Sequence, residues 1–346
     1  MKTRVIRVDP MQPVDAMLEP AAELIRGGEL VAFPTETVYG LGANALDASA
    51  CDRIFEAKGR PHDNPLIVHV SDPADCSSYA FCDSYPVFEK IADRFMPGPL
   101  TVVMKKKSVI PDTVTVGLDT VALRCPVHPV ARALIRLSGV PIVAPSANRS
   151  GKPSPTTAEH VYFDMNGRIP CIIDGGPCDV GLESTVIALK EDGIHLLRPG
   201  AVTRDMLSEL GEKVIVSDAV LSEVKSGEKV ESPGMKYRHY APNSPCTMVD
   251  GDPDKVIAFL REKLSVGCGV LCFDEDLSRL GVSPRVLSLG KQNDLSAQAH
   301  GLFYALRRFD EMGVPHIYVR KTADTALGLA VTNRLLRACA FDVIKL

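Results

Sequence analysis

Apolar positions recur at helix and strand spacing from residue 14 to about residue 211. Apolar residues three or four apart predict helices, whereas short apolar runs between turn residues predict buried strands. We expect Pro20 to open the first helix, because its missing N–H costs nothing in a first turn, and Gly27-Gly28 to close it. The other predicted elements are helices at 48–58, 86–96, 129–138, 157–166 and 203–210 and strands at 30–33, 66–68, 100–104, 121–124, 141–144, 171–174, 184–189 and 194–198. Short crossovers beside β-rich stretches predict an α/β fold whose open, twisted sheet is mixed rather than purely parallel.

Residues 217–245 interrupt this alternation and are rich in Ser, Glu, Lys, Gly and Pro, which is typical of a linker. The second half, 232–242, carries aromatic and cationic side chains that a passive spacer does not need. A smaller α/β pattern of Rossmann-like character begins after it. Its predicted elements are helices at 253–265, 295–312 and about 327–340 and strands at 270–273 and 317–319. The sequence therefore predicts three parts: a first domain at 1–216, a linker or lid at 217–245, and a C-terminal α/β domain at 246–346.

Length and charge narrow the class of protein. A chain of 346 residues exceeds one typical core, so two domains are expected. Lys and Arg number 39 and Asp and Glu 43, a net charge of −4, whereas proteins that grip a duplex through its phosphates are usually basic. Any RNA contact is therefore expected to be local or transient, and the charge balance favours a small-molecule enzyme.

The sequence predicts a cytoplasmic protein without a membrane span or a protein-bound metal. Charges recur too often at the N-terminus to leave the apolar region of a signal peptide, and no apolar run approaches the length of a bilayer span. None of the 10 cysteines falls in a Cys-x-x-Cys pair, and most have apolar neighbours. Buried, reduced thiols explain them better than zinc or disulfides.

Hydroxyls, a carboxylate and glycines follow the predicted strand at 30–33. Thr35, Glu36 and Thr37 can present polar groups to one pocket, and a turn through Gly40 and Gly42 can bring the backbone close to a ligand. By itself, the pattern fits an ordinary strand end followed by a turn equally well.

A second polar segment joins the helix at 48–58 to the next strand. Lys58 and Arg60, followed by Asn64, suit a polyphosphate, because Arg offers a fork of donors and Lys a point charge. Cations that complement the dipole of a helix C-terminus are the alternative, but this does not explain Asn64 or His69. His69 alone, inside an apolar strand, is more often a hydrogen-bonded core histidine.

Further cations and hydroxyls lie in or after predicted strands. Arg124 falls inside 121–124, where an unpaired guanidinium is unfavourable, so we expect it to meet either a protein or a substrate carboxylate. The polar loop after 141–144 can offer N–H and hydroxyl donors to an anion. Ser184 and Arg198 add a hydroxyl and a cation at strand ends, although turn chemistry alone explains each of them.

Several common signatures are missing from the sequence. It contains no Walker loop, no paired Gly-x-Gly-x-x-Gly, no Gly-x-Ser-x-Gly and no His-Glu-x-x-His. The chain therefore lacks the motifs that would assign it simply to the P-loop ATPases, Rossmann dehydrogenases, serine hydrolases or zincins.

Taken together, the polar segments resemble the YrdC-like family of threonylcarbamoyl-AMP synthases in its two-domain form. The matching blocks occur in order along 14–245. They are Pro34-Thr35-Glu36-Thr37-Val38-Tyr39-Gly40-Leu41-Gly42, Lys58-Gly59-Arg60-Pro61, Asn64-Pro65-Leu66, Pro97-Gly98-Pro99-Leu100-Thr101, Ala144-Pro145-Ser146-Ala147-Asn148, Ser184-Thr185-Val186, Arg198-Pro199-Gly200 and Ser232-Pro233-Gly234-Met235 through His239-Tyr240-Ala241-Pro242. The C-terminal part is similar to the second domain of that family, most clearly at Gly328-Leu329-Ala330-Val331-Thr332-Asn333-Arg334-Leu335.

This resemblance implies a nucleotidyltransferase that converts L-threonine, bicarbonate and ATP into threonylcarbamoyl-adenylate and pyrophosphate. ATP is a substrate, and Mg²⁺ would be bound mainly through the phosphates. A partner transferase would pass the threonylcarbamoyl group to an adenosine in the tRNA anticodon loop, and tRNA contact with this chain would be transient at most.

The resemblance also implies residue roles. Threonine would be held by Thr37 or Thr35, His69, Arg124, Ala144 and Ser184. The nucleotide would be held by Arg60, Asn64, Thr120, Ser146, Ser154, Arg198 and Tyr240. Lys58 and Arg60 would be catalytic, with Lys58 close to the phosphates, and His239 and Tyr240 would belong to a lid at 232–242.

Three alternatives stay open on sequence alone. One is an RNA-binding module with a cationic concavity, which the charge balance disfavours. Another is a carbamoyl-transfer enzyme of hydrogenase maturation, which shares a related domain but needs Cys-x-x-Cys pairs that are missing here. The last is an ATP-binding regulator without turnover.

Overall fold

The computed structural model describes residues 2–220, 222 and 239–346. Strands and helices alternate through its first part. The strands there are β1 (Arg4–Arg7), β2 (Val31–Phe33), β3 (Gly40–Asn44), β4 (Ile67–His69), β5 (Leu100–Lys105), β6 (Thr120–Arg124), β7 (Ile142–Val143), β8 (Cys171–Asp174), β9 (Thr185–Lys190), β10 (Gly193–Arg198) and β11 (Val214–Val216). The helices are α1 (Asp15–Arg26), α2 (Ala48–Lys58), α3 (Val87–Phe95), α4 (Asp112–Thr115), α5 (Pro129–Ser138), α6 (Ala158–Met165) and α7 (Arg204–Ser208).

The part of the chain after residue 245 repeats the alternation on a smaller scale. Its strands are β12 (Cys246–Asp250), β13 (Gly269–Cys272), β14 (Val286–Ser288), β15 (Ile317–Arg320) and β16 (Val343–Lys345). Its helices are α8 (Pro253–Ser265), α9 (Asp274–Leu280), α10 (Leu295–Met312) and α11 (Ala326–Ala338). Short 3-10 helices lie at Pro73–Ser78, Cys82–Ser84 and Asp218–Val220.

The strands form two separate sheets. The large sheet has 11 strands in the order β1-β8-β2-β3-β7-β4-β6-β5-β9-β10-β11. Parallel and antiparallel pairs both occur in it, because β4 runs parallel to β6 whereas β5 runs antiparallel to β6. The small sheet has 5 strands in the order β14-β13-β15-β12-β16, and its pairs are parallel. The predicted α/β class, with a mixed sheet and a smaller second α/β unit, is confirmed.

Residues 2–216 are called here the large-sheet unit, and residues 246–346 the small-sheet unit. The domain boundaries at 216/217 and 245/246 stay predictions. Of the predicted linker, residues 221 and 223–238 lie outside the described part of the chain. Within the described residues, no helix is long and apolar enough to cross a membrane.

The first helix begins earlier than predicted. Pro20 does not open α1 but lies inside it, because the helix starts at Asp15. Its buried residues Leu18, Ala21, Ala22 and Ile25 recur at helix spacing and form one apolar cluster with residues of α5. Tertiary packing of that face therefore outweighs the hydrogen bond that a proline removes from a helix interior.

The two glycines expected in a turn are part of a strand instead. Gly40 and Gly42 belong to β3, which pairs with β2 in antiparallel fashion. A Cβ atom on Gly42 would lie 2.8 Å from the ring of Phe33 and 2.9 Å from Ile142. The glycine is thus required for close packing between strands, and the expected turn is wrong.

Apolar layers cover both faces of the large sheet. On β2, Val31 and Phe33 pack with α1 and α5, whereas Ala32 points to the layer that contains α2 and α3. A further cluster fills the small-sheet unit between its sheet and the helices α10 and α11, and it includes Leu182 and Tyr240 from outside that unit. The two units therefore share one apolar core at their boundary.

Candidate active site

A cleft lies over one face of the large sheet, beside a small apolar cluster that contains Ile67 and Ala122. It encloses about 700 Å³, counting the part that is open to solvent. The lining includes these residues predicted from the sequence: Thr37, Lys58, Arg60, His69, Arg124, Ala144, Ser146, Ser184, Arg198, His239 and Tyr240.

Strand alternation explains why one wall of the cleft combines apolar and polar groups. Ile67 and His69 are two positions apart on β4 and therefore point to the same face. The register of β4 against β6 places Arg124 directly beside His69. His69 at the end of β4 and Arg124 at the end of β6 therefore reach the same wall of the cleft.

Arg124 meets a protein carboxylate. Its Nη2 atom donates to Glu36 Oε1 at 2.7 Å and to Thr37 Oγ1 at 2.9 Å. Both partners of the ion pair are buried. Arg124 Nε and Glu36 Oε2 have no hydrogen-bond partner, although both atoms are shielded from solvent. Such a partly satisfied buried pair is unfavourable by itself and is suited to receive a further polar group.

His69 lies buried next to this pair as a neutral ring. Burial, and then the neighbouring Arg124 charge, lower the pKa of His69 to about 3. Its Nδ1 lies 3.1 Å from the carbonyl oxygen of Ile67, so that nitrogen carries the proton and donates. His69 therefore adds a fixed polar group to the cleft without adding charge at neutral pH.

Lys58 ends α2 and reaches the polar loop after β7. Its Nζ atom donates to the carbonyl oxygens of Ser146 at 2.5 Å and Asn148 at 2.6 Å. Burial, followed by the nearby charge of Arg60, lowers the pKa of Lys58 well below its usual value. The α2 end and the loop are also joined by the Ser150 N–H, which donates to the Lys58 carbonyl at 2.9 Å. Lys58 thus fixes the loop that lines the cleft.

Arg60 follows a left-handed glycine that ends α2. Gly59 has a φ of 61°, which terminates the helix and turns Arg60 back toward the strand β4. The Arg60 guanidinium donates to the carbonyl of Asn64 at 2.9 Å. Burial lowers the pKa of Arg60 to about 10, which leaves it charged at neutral pH.

Arg198 ends β10 on the opposite side of the cleft. Its Nε donates to the Ser184 carbonyl at 3.0 Å and its Nη2 to Ser184 Oγ at 3.1 Å. Burial lowers the pKa of Arg198 to about 10, so it too stays a cation. Ser184 Oγ also lies 2.7 Å from Thr101 Oγ1. A cation and a hydroxyl are therefore held together by β5, β9 and β10.

His239 and Tyr240 complete the cleft on the side of the small-sheet unit. Tyr240 is buried and adopts a φ of 64°, and its ring lies 5.2 Å from that of Phe303. The next residue, Ala241, donates its N–H to the Gly151 carbonyl at 2.8 Å. This segment is therefore attached both to the polar loop and to the second unit.

Four predicted residues do not line the cleft. Thr35 lies behind Thr37, with 2.8 Å between the two hydroxyl oxygens. Asn64 and Ser154 are buried in the surrounding layer. Thr120 starts β6, which puts it roughly 13 Å along the strand from Arg124. The binding roles of these residues stay predictions.

Two charged residues of the cleft, Lys152 and Glu183, were not predicted from the sequence. Glu183 lines it beside Ser184, accepts a hydrogen bond from Ser154 Oγ, and pairs with Arg334 Nε at 2.7 Å. Burial raises the pKa of Glu183, but Arg334, Arg198 and Ser154 together outweigh this and hold the pKa below its ordinary value. Arg334 is 151 positions away in the chain, so no local pattern could indicate the pair.

Comparison with known proteins identifies the family. Residues 23–200 match the family model described as "Telomere recombination", and residues 202–340 match the one described as "Threonylcarbamoyl-AMP synthase, C-terminal domain". The threonylcarbamoyl-AMP synthase of Bacillus subtilis is 46% identical, with 100% of both chains covered. The chain belongs to the threonylcarbamoyl-AMP synthase family.

Two further matches extend over nearly the whole chain. The threonylcarbamoyl-AMP synthase of Pyrococcus abyssi is 47% identical, with 94% of each chain covered. A crystal structure of P. abyssi Sua5 complexed with L-threonine superposes with a TM-score of 0.90 at 44% identity, covering 99% of this chain and 100% of that one. These matches confirm the predicted two-domain family and its threonylcarbamoyl-AMP synthase activity.

Proposed function

We propose that the cleft binds L-threonine beside ATP and makes threonylcarbamoyl-AMP from them with bicarbonate. One observation carries the proposal: Arg60, Arg124 and Arg198 come from three separate elements, yet all three line one cleft. Converging cations of this kind suit a site for several anionic groups. Family membership over the whole chain supports the choice of substrates.

The threonine half of the site is proposed to lie over β4 and β6. The unpaired Nε of Arg124 can donate to the substrate carboxylate, and Nη2 can complete a fork once the carboxylate displaces Thr37 Oγ1 from it. Ala144 lines the same wall and offers a small apolar surface to the substrate methyl group. Ser184 and the neutral ring of His69 are the remaining polar groups proposed here.

The nucleotide half is proposed to lie between the loop after β7 and Arg198. Arg60 and Arg198 remain charged although they are withdrawn from water, so each can act strongly on phosphate oxygens. Bound phosphates would also favour the charged form of Lys58, whose neighbours in the cleft are carbonyl oxygens rather than carboxylates. Ser146 and Tyr240 would contact the rest of the nucleotide.

Magnesium is proposed to bind through the ATP phosphates. Among the described residues, no group of three or more His, Cys, Asp or Glu side chains is placed to hold a metal ion. Glu183 lines the cleft, but its oxygens are engaged by Ser154 and Arg334. When bound, the ion would neutralise phosphate charge.

The chemistry is proposed to rest on positioning and electrostatics. The neutral amine of threonine and bicarbonate form a carbamate: the N–C bond forms as one C–O bond of bicarbonate breaks, and one water molecule leaves. A carbamate oxygen then forms a bond to the α-phosphorus as the bond to pyrophosphate breaks. Arg60, Lys58 and Arg198 would stabilise the charge on the departing phosphates, which makes the enzyme a nucleotidyltransferase. This scheme assigns no general base to the protein.

A lid and a downstream partner belong to the same proposal. A carbamoyl-adenylate reacts readily with water, so a segment that covers it would protect it. His239 and Tyr240 line the cleft at the end of the proposed lid, 232–242, of which residues 232–238 lie outside the described residues. The product would pass to a transferase that modifies tRNA in the cytoplasm. All 10 cysteines are buried, which fits the buried, reduced cysteines of a protein in such a compartment.

The test is whether pyrophosphate release depends on the amino acid. Purified protein is supplied with ATP, bicarbonate and Mg²⁺, and pyrophosphate is measured with and without L-threonine. We expect release only when all substrates are present, together with a product of the mass of threonylcarbamoyl-AMP. ATP cleavage at the same rate without threonine would contradict the proposal and favour a regulator or a different acceptor.

Serine in place of threonine tests the pocket. A niche for a single methyl group contributes only about 1–3 kcal/mol of discrimination. We therefore expect serine to support the reaction with a kcat/KM that is lower by roughly 10- to 200-fold. Equal kcat/KM values for serine and threonine would show that the wall around Ala144 does not recognise the methyl group.

A further inference from the structure

The small-sheet unit places one fully buried arginine directly behind the cleft. Arg334 of α11 is 0% exposed. Its Nε donates to Glu183 Oε2 at 2.7 Å, its Nη1 to Asn333 Oδ1 at 2.7 Å and its Nη2 to the Pro199 carbonyl at 3.1 Å. Its guanidinium carbon lies 5.6 Å from the ring centre of Tyr240. The side chain thus contacts residues next to Ser184 and Arg198 as well as a wall of the cleft.

Glu183, the partner of Arg334, is negatively charged, which is unusual for a residue that lines a proposed ATP site. Glu183 lines a cleft otherwise furnished with cations, and it is ionised because its surroundings lower its pKa. A carboxylate that faces a polyphosphate would repel it, and the burial of Glu183 weakens the screening of that repulsion by solvent. Arg334 compensates that charge from behind. With Arg334 on one oxygen and Ser154 on the other, the carboxylate is fixed in place.

The surrounding contact is tight, so the pair cannot easily move apart. Gly181 packs against the backbone of α10, where a Cβ atom on the glycine would lie 2.5 Å from His300 Cα. Leu182 and Tyr240 belong to the same apolar cluster as Phe303 and Leu335. The segment that carries Glu183 is therefore held on the small-sheet unit by the two residues that precede the ion pair.

We propose that Arg334 is a positioning residue for ATP, which acts by neutralising and orienting Glu183 at the wall of the cleft. This inference rests on the function proposed above and deepens it. It gives the small-sheet unit a defined task in the reaction: the unit supplies the counter-charge that lets a carboxylate remain in a polyphosphate site. The effect should concern ATP rather than threonine, because Arg334 contacts the Pro199 carbonyl beside Arg198 and the ring of Tyr240, which are both assigned to the nucleotide. Ser184 follows Glu183 and is assigned to threonine, but its side chain is held by Thr101 and Arg198.

A double-mutant cycle tests the inference. The variants are Arg334→Met, Glu183→Gln and the double variant, and KM for ATP, kcat and the Kd of L-threonine are measured for each. Arg334→Met leaves a buried carboxylate without its partner, and we expect KM for ATP to rise at least about tenfold while the Kd of threonine stays within about twofold. In the Glu183→Gln background, the second change should alter KM for ATP by no more than about threefold, because no charge is left to neutralise.

A matched control separates this role from a loss of stability. Arg307 of α10 pairs with Asp164 at 2.7 Å in an equally buried contact between the two units, but neither residue lines the cleft. Arg307→Met with Asp164→Asn should lower the midpoint of thermal unfolding and leave KM for ATP within about twofold of the unmodified chain.

The possible results are distinguishable. An unmodified chain that shows no threonine-dependent pyrophosphate release would overturn the proposed function. If that activity is present, an unchanged KM for ATP in Arg334→Met would overturn only the role of Arg334. Additive effects of the two substitutions would also overturn it, because the arginine would then not act through Glu183. If Arg334→Met does not fold, the comparison of the double variant with Glu183→Gln still decides.

Discussion

The two units of the molecule differ in what their buried charges do. In the large-sheet unit, Arg124 and Glu36 form an ion pair that leaves one atom of each without a partner beside the cleft. In the small-sheet unit, Arg334 is surrounded by acceptors, and no described residue of 246–346 lines the cleft. Atoms without a partner are not confined to the large-sheet unit, since Arg307 Nε of α10 also lacks one. The difference is one of place: the unpaired atoms of Arg124 and Glu36 lie where substrate is proposed to bind, whereas Arg334 finds an acceptor for each guanidinium nitrogen behind the wall of the cleft.

Replacing Arg124 should have the largest effect. Arg124→Leu removes the proposed fork for the threonine carboxylate and leaves Glu36 buried without its partner. We expect kcat/KM for threonine to fall by roughly 30- to 5,000-fold, since truncating one partner of a buried, hydrogen-bonded charge pair in a binding site costs about 2–5 kcal/mol. Arg132→Leu is the control, because Arg132 donates to the Ser71 carbonyl outside the cleft. Equal losses in both variants would contradict the assignment of Arg124 to threonine.

The proposed lid should give the next largest effect. His239→Ala with Tyr240→Ala removes two cleft-lining side chains and the contact between Tyr240 and Phe303. We expect the yield of threonylcarbamoyl-AMP per ATP consumed to fall by about tenfold, because water gains access to the adenylate, with a smaller change in ATP affinity. Coupled measurement of adenylate and pyrophosphate checks this ratio. An unchanged yield would remove the lid from the proposal.

Alanine substitutions at Gly176 and Gly181 separate the contribution of the contact between the two units from that of backbone strain. Gly181 and Gly176 both have a left-handed φ, 77° and 83°, but only Gly181 would bring a Cβ atom against α10. Gly176→Ala should destabilise the chain by about 1 kcal/mol through backbone strain alone. Gly181→Ala should lose an additional 1–3 kcal/mol or so from overpacking and should also raise KM for ATP. Urea unfolding followed by circular dichroism suits a chain with 0 Trp. Equal destabilisation by the two substitutions would show that α10 can move away from residue 181 at little cost in free energy.

We expect the smallest effect from a change of pH, which acts on the free energy of unfolding through His160 of the large-sheet unit. Burial lowers the pKa of His160 from 6.5 to about 4. Its contribution to the free energy of unfolding is therefore complete above pH 6.5 and is lost as the pH falls toward 4, by up to about 1.4 kcal/mol per pH unit. When the free energy of unfolding is plotted against pH, the slope between pH 7 and 5 should be shallower in His160→Gln than in the unmodified chain. Identical slopes would mean that His160 is charged in the folded chain.

Local spacing was sufficient to predict most elements. The helices at 48–58, 129–138, 253–265 and 295–312 agree with α2, α5, α8 and α10 at both ends, because each has an apolar face at helix period and a clear cap. The prediction was wrong at Pro20 and in the segment of Gly40 and Gly42. There, packing against α5 and against the Phe33 ring outweighed the local signals.

The amino-acid sequence by itself determined the alternation of elements, the mixed α/β class and the family, since these follow from residue spacing and ordered motifs. Only the tertiary structure decided that Arg124 meets Glu36, that Thr120 lies away from the cleft, and that Arg334 supports Glu183. The physical reason is distance along the chain: helix and strand periods are encoded within a few neighbouring residues, whereas a buried charge takes its partner from whatever the topology brings beside it.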